Sequence, residues 1–210
     1  MAIAALSNFT VPLASNQSAS SQGLLMPKLA YRFRIALENF GTSGSTTELT
    51  KQVSDAGRPK VAFDSVTIDV YNSRIYYAGK PKWDAITVKI RDDVTGAVSK
   101  LIGEQNQKQF DFFEQSSAAS AGDYKFTMRV EMLDGGNGAD TPVVLETWEC
   151  YGCWLVSTNW NSTALSYKTN DPVLIELSIQ MDNAVQTGPS ASLGVPGFVQ
   201  ARGTTNALGA

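Results

Sequence analysis

The feature of this chain that most restricts its fold is a two-residue alternation of apolar and polar side chains, repeated along the middle of the sequence. Tyr31, Phe33, Ile35 and Leu37 alternate with Arg32, Arg34, Ala36 and Glu38. Val66, Ile68 and Val70 alternate with Thr67 and Asp69, and Ile86, Val88 and Ile90 with Thr87, Lys89 and Arg91. The pattern returns in Tyr124, Phe126, Met128, Val130 and Met132, and again in Val173, Ile175, Leu177, Ile179 and Met181. Successive side chains of a strand point to opposite sides. This period therefore sets one face of each segment on a core and the other in polar surroundings, the mark of half-buried antiparallel strands. Residues 143–156, rich in β-branched and aromatic side chains, predict one more strand.

Between Val94 and Gln115 the apolar spacing lengthens, with Val98, Leu101, Ile102, Phe110 and Phe113. That spacing predicts a helix over 94–115, broken near Gly103, lying across one sheet face. Strands, one helix, then strands predict a mainly β fold: an antiparallel β-sandwich or partial barrel with one flanking α-helix. The expected domain spans residues 28–185. Residues 1–27, rich in Ser, Ala, Asn and Gln, read as an N-terminal arm, and residues 186–210, rich in Gly, Ala, Thr and Pro, as a C-terminal arm. Residues 41–57 are long for a plain hairpin connection, so they read as a functional loop or a disordered surface loop.

Charge and composition narrow the function. Lys and Arg number 17 against 20 Asp and Glu, a net charge of −3, so the chain lacks the cationic field that a general nucleic-acid or membrane-surface binder needs. It contains no histidine, which removes Ser-His-Asp and Cys-His catalysis and most catalytic zinc sites. No apolar run reaches the roughly 18 residues of a membrane span. The N-terminus lacks the positive flank of a signal peptide, so the sequons at Asn8, Asn16 and Asn161 carry no expectation of glycosylation.

Each remaining motif has a plain reading. Cys150 and Cys153 fall inside a strand, where residues three apart point to opposite faces; they read as small buried packing residues, with cross-linking between subunits as the rival. Gly135-Gly136-Asn137-Gly138-Ala139-Asp140 matches one unit of a calcium-binding repeat that works only in tandem, so it reads as a hairpin tip. Asp92 and Asp93 end a strand without a partner motif and read as a solvated turn. Trp83, Trp148, Trp154 and Trp160 read as core or subunit-interface anchors. No catalytic residue, metal site or cofactor is expected.

Residues 60–93, KVAFDSVTIDVYNSRIYYAGKPKWDAITVKIRDD, resemble the tail tube protein family of contractile-tailed phages, the myoviruses. The residues that carry the likeness are Asn72, Ser73, Arg74, Ala78, Gly79, Lys80, Trp83, Asp84, Ile86, Val88 and Asp92. Tyr151-Gly152-Cys153-Trp154-Leu155 resembles the family's Gly-x-Trp strand end, and Leu165-Ser166-Tyr167 with Asn170 and the strand 173–181 resembles its closing strand. The likeness covers roughly residues 28–185. Val156 departs from it, standing where the family often has Pro or Thr, and both arms extend past the family's compact domain.

This resemblance implies a structural subunit whose strands join a ring-wide β-barrel in a homohexamer. It implies rings stacked into a hollow conduit for genome delivery inside a contractile sheath. The implied partners are further copies of the chain, the sheath protein, the tape-measure protein and the baseplate, with genome DNA passing through the lumen without specific binding. The implied location is the virion tail, assembled in the host cytoplasm. A long loop or hairpin corresponding to residues 41–57 is implied to reach the next ring, which singles out Gly44, Ser45, Thr46, Glu48, Lys51, Ser54 and Asp55. A baseplate tube-initiator, a tail terminator and the tube of a contractile injection system share the fold. A ligand-binding β-sandwich using the tryptophans and a carboxylate-based hydrolase are the rivals from other classes.

Overall fold

The computed structural model describes residues 27–42, 46–135, 142–168, 170–188 and 193–194. The chain divides after Arg32 into two units. In the first, Arg32 N–H donates to the Leu29 carbonyl at 3.1 Å and its guanidinium lies 5.4 Å from the Tyr31 ring centre.

The second unit runs β1 (Phe33–Glu38), α1 (Thr47–Gln52), β2 (Val53–Ala56), β3 (Val61–Val70), β4 (Ser73–Trp83), β5 (Ile86–Arg91), α2 (Ala97–Gln109), β6 (Phe110–Asp111), β7 (Ser116–Ser117), α3 (Ala121–Tyr124), β8 (Phe126–Leu133), β9 (Val144–Asn159), β10 (Leu174–Gln180) and β11 (Asn183–Thr187). The main sheet has the order β1-β8-β9-β10-β5-β2, every pair antiparallel, with β11 also on β9. This is the mainly antiparallel fold with a flanking helix that the alternation predicts.

Strand β9 organises the unit. β10 and β11 follow one another along one side of it, with Gln180 opposite Trp154 and Asn183 opposite Tyr151. Between them Asp182 N–H donates to the Tyr151 carbonyl at 3.1 Å. β8 holds the other side as far as Cys153. There β9 carries a bulge: Met128 faces Cys150 and Phe126 faces Cys153, so three steps on β9 match two on β8. Gly152 takes φ 65° at this point, which a residue without Cβ adopts freely. The bulge corrects the expectation for the cysteines. Both thiols turn into the core and are fully buried, rather than facing opposite sides. Burial alone pushes Cys150 up to about 12, and burial with the neighbouring Cys150 does the same for Cys153.

The apolar members of the alternating segments fill the core. Ile35, Leu37, Ile86, Val88, Ile90, Met128, Val130, Ile175, Leu177 and Ile179 are buried, and α2 adds Val98, Leu101 and Ile102. Phe40 and Phe126 meet edge to face at 4.9 Å.

Several further expectations change. Helix α2 spans 97–109, not 94–115, and continues through Gly103, where an added Cβ would meet nothing within 4 Å. It stops because Phe110 is extended and Asp111 Oδ1 accepts the Phe113 and Glu114 amides in a tight turn. Asp92 and Asp93 serve the entry to α2: Ser99 Oγ donates to the Asp92 carboxylate at 2.9 Å and Val98 N–H to Asp93 Oδ1 at 3.2 Å. A Thr95 hydroxyl contact, ahead of these amides, holds Asp93 below the usual carboxylate range.

Residues 41–57 are not a plain loop. They contain α1, which buries Leu49 completely, and β2, which pairs with β5. Strand β11 runs to Thr187, past the expected boundary at residue 185, and Gln186 N–H reaches the Leu193 carbonyl at 3.0 Å. The Val66–Val70 segment is not half buried; it belongs to an exposed hairpin.

Candidate assembly surface

That hairpin is β3–β4. Its strands pair from Val61 opposite Trp83 to Val70 opposite Ser73 and pack chiefly on each other. Partners directly opposite share a face. One face collects Val66 with Tyr77, Ile68 with Ile75, and Val70 with Ser73; the other collects Thr67 with Tyr76 and Asp69 with Arg74. On the apolar face Ile68 is 49 % exposed, Ile75 55 % and Tyr77 51 %. Among the described residues neither strand pairs with anything but the other. An isolated two-stranded ribbon with an apolar face and two open edges is marginal in water and invites a partner.

The family-matching residues have clear roles here. Asn72 lies in the two-residue turn at the tip, and Arg74 Nε donates to Asp69 Oδ1 at 2.6 Å. Ala78 pairs with Ser65 just above a bulge, and Gly79 sits in that bulge. A Cβ at Gly79 would meet the Asp64 carbonyl at 3.0 Å and Val66 at 3.3 Å, so the close approach of the strands needs glycine. Trp83 is buried at the root.

Polar contacts fix that root. Gln180 Nε2 donates to the Trp83 carbonyl at 2.8 Å, and Asp84 N–H to the Lys60 carbonyl at 3.0 Å. Lys60 and Asp84 pair at 2.8 Å. Their mutual hydrogen bond, then their opposite charges, lower Asp84 and raise Lys60 from their ordinary values. Just before β3, Arg58 reaches the buried carboxylate of Glu146 at 3.0 Å; Trp148 Nε1 and Gln186 Nε2 donate to the same oxygen at 2.5 Å and 3.1 Å. Glu146 thus ties the approach to the hairpin to β9 and β11.

The candidates within 41–57 sit differently. Thr46 Oγ1 donates to the Leu37 carbonyl at 2.6 Å, Ser54 Oγ to the Lys89 carbonyl at 3.1 Å, and Asp55 pairs opposite Lys89 at the sheet edge. Lys51 is exposed in the last turn of α1, and the backbone of Glu48 lies in the same helix. Gly44 and Ser45 lie outside the described residues, as do 136–140 of the glycine-rich turn. The hairpin residues Ile68, Tyr71, Ile75 and Tyr77 were missed as a site, because their alternation reads the same as that of a half-buried strand.

A second feature lies where β8 leaves β9. Gln109 of α2 takes over: its Nε2 donates to the Leu155 carbonyl at 3.0 Å and its Oε1 accepts the Leu155 amide at 2.8 Å. Asn106 and Thr158 Oγ1 pair at 3.1 Å beside it. Next to these contacts an open groove of about 480 Å³ is lined by Asn106, Gln109, Phe112, Val156, Ser157 and Trp160. Trp160, one of the tryptophans read as core or interface anchors, is exposed there with Phe112 and Val156. Among the described residues no group of three or more His, Cys, Asp or Glu is placed to hold a metal ion, and no helix is long and apolar enough to cross a membrane.

No protein-family model matches the chain, and no curated protein matches it in sequence. Solved structures do match in fold. The tube-terminating cap of the anti-feeding prophage superposes with a TM-score of 0.58 at 14 % identity, covering 84 % of this chain and 99 % of that one. A chain of the sheath/tube terminator of the PVC extracellular contractile injection system gives 0.54 at 14 % identity, over 79 % and 100 %. A chain of the PVC sheath-tube complex gives 0.52 at 14 % identity, over 77 % and 92 %. The chain therefore has the fold of the tube-like proteins of contractile injection systems.

Proposed function

We propose that this chain is a structural subunit of a contractile phage tail tube, in which hexameric rings stack into a hollow conduit inside a sheath. The observation that carries the reading is the β3–β4 hairpin, whose apolar face and edges lack partners among the described residues. A second copy supplies what it lacks. The likeness in fold to cap, terminator and sheath-tube chains supports the same role. Joining strands between copies removes open sheet edges, and a head-to-tail contact that does not close propagates into a filament.

On this reading the hairpin reaches the next copy, and the 41–57 segment contributes through the exposed side of α1 and the edge of β2. The sheath, the baseplate and the tape measure are the partners, genome DNA passes through the lumen unbound, and the virion tail, assembled in the host cytoplasm, is the location. The role is structural, with no catalytic step and no cofactor.

A tube terminator is the second reading, favoured by the superposition on the anti-feeding prophage cap. Electron micrographs of the purified chain separate the two. Long hollow filaments support the tube subunit, single closed rings support the terminator, and a monomer at high concentration contradicts both.

A further inference from the structure

The tip of the hairpin carries a residue that local geometry disfavours. Tyr71 opens the two-residue turn between β3 and β4 with φ 39°, a region that bulky L-residues avoid and that hairpin turns normally give to glycine or asparagine. Its side chain is 100 % exposed, so nothing in its own copy compensates for the strain. Strain held in an exposed aromatic at the end of an unpartnered ribbon points to a use in binding. Tyrosine is also among the side chains that most often anchor protein interfaces.

We propose that Tyr71 of one copy seats in the groove between α2 and β9 of another. This rests on the tube reading and adds the contact that joins one copy to the next. The groove suits a phenol. Phe112, Val156 and Trp160 offer apolar surface for the ring, while Asn106, Gln109, Ser157 and Thr158 offer hydrogen-bond partners for the hydroxyl. A tyrosine buries about 150–250 Å² when enclosed, much of it apolar ring.

The groove is also preformed. Gln109 and Asn106 are already held by Leu155 and Thr158, so seating the ring orders little. Two further concavities among the described residues are of comparable size: one of about 450 Å³ is formed by the hairpin tip itself, at Asp69, Tyr71, Asn72, Ser73 and Arg74, and one of about 400 Å³, lined by residues between Thr163 and Val173, is built by a single loop with an aspartate in its wall. The seven residue-to-residue steps from Phe63 to Val70, at about 3.3 Å each, carry the tip roughly 23 Å beyond Phe63, far enough to meet another copy.

The test uses the full chain. Tyr71→Gly removes the aromatic and relaxes the turn, so the subunit keeps or gains thermal stability. Assembly, followed by light scattering and electron microscopy, should then require on the order of tenfold more protein. A Tyr71→Cys chain and a Ser157→Cys chain are mixed and mildly oxidised. A cross-linked dimer should form in the mixture and in neither chain alone, since Cys150 and Cys153 are fully buried. Unchanged assembly by Tyr71→Gly, or assembly without the mixed cross-link, overturns this contact and leaves the tube reading standing. A wild-type chain that does not assemble overturns both.

Discussion

Gly152 leaves the space that the carboxylate of Asp182 occupies. A Cβ on Gly152 would lie 2.7 Å from Asp182 Cγ, and that carboxylate is held by Lys125 Nζ at 2.5 Å. Because Gly152 also has φ 65° in the β9 bulge, alanine there meets a steric and a conformational penalty together. Gly152→Ala should destabilise the domain by about 2–4 kcal/mol, read from urea unfolding. Adding Asp182→Ala should recover part of the loss by clearing the collision. Full stability of the single variant would show that the bulge is not needed.

Glu146 is the buried carboxylate on which Arg58, Trp148 and Gln186 converge. Glu146→Ala leaves these donors without that acceptor and should cost about 1–3 kcal/mol in denaturant unfolding. The fluorescence of Trp148 should shift as its indole N–H loses its partner. Glu146→Gln keeps an acceptor oxygen and should cost less.

The Lys60–Asp84 pair gives the hairpin root a pH dependence with two arms. Asp84 is lowered in the folded state, so its contribution is full above its ordinary value of 3.8 and is lost as pH falls through the lower folded value. Lys60 is raised, so its contribution is full below 10.5 and is lost as pH rises through the higher folded value. Both groups are exposed, so the effect is small and shrinks with added salt. The emission of Trp83, next to Asp84, should move at the acid and alkaline ends. Asp84→Asn should abolish both transitions, since Lys60 then has no carboxylate to pair with.

Cys150 and Cys153, each pushed up to about 12, stay as neutral buried thiols in any ordinary buffer. Neither should alkylate in the folded chain at mildly alkaline pH, while both should react once urea unfolds it. Rapid labelling of the native protein would contradict their place in the core.

The body of the fold was legible because its strands bury one face against the chain's own core, as at Ile86, Val88 and Ile90. The hairpin was not, for the same physical reason. Val66, Ile68 and Val70 alternate like core strands, and alternation does not say whether the cover for an apolar face comes from the same copy or another. The signal that could have marked it is the Tyr71-Asn72 turn joining two strands with no further partner in reach.

The inward docking of 41–57 turns on Leu49, with Val53 and Ala56 packed against the same core, a few apolar residues in a polar stretch. The pairing of Cys150 with Cys153 on one side depends on a bulge, which shifts the strand's parity without changing its composition. The α2–β9 groove joins residues from distant parts of the sequence, and no local pattern announces it. The motif residues Asn72, Gly79 and Trp83 were singled out by resemblance, and the geometry gives them a turn, a bulge and a root.

The account stands on the β3–β4 ribbon being completed by a second copy. The most direct measurement is sedimentation of the full chain beside a variant whose residues 65–78 are replaced by an Asn-Gly turn, leaving the root residues 61–64 and 79–83 in place. The account predicts large assemblies for the full chain and a folded monomer for the variant, with native circular dichroism and tryptophan emission. Equal assembly by both, or a full chain that stays monomeric at every concentration, would contradict it.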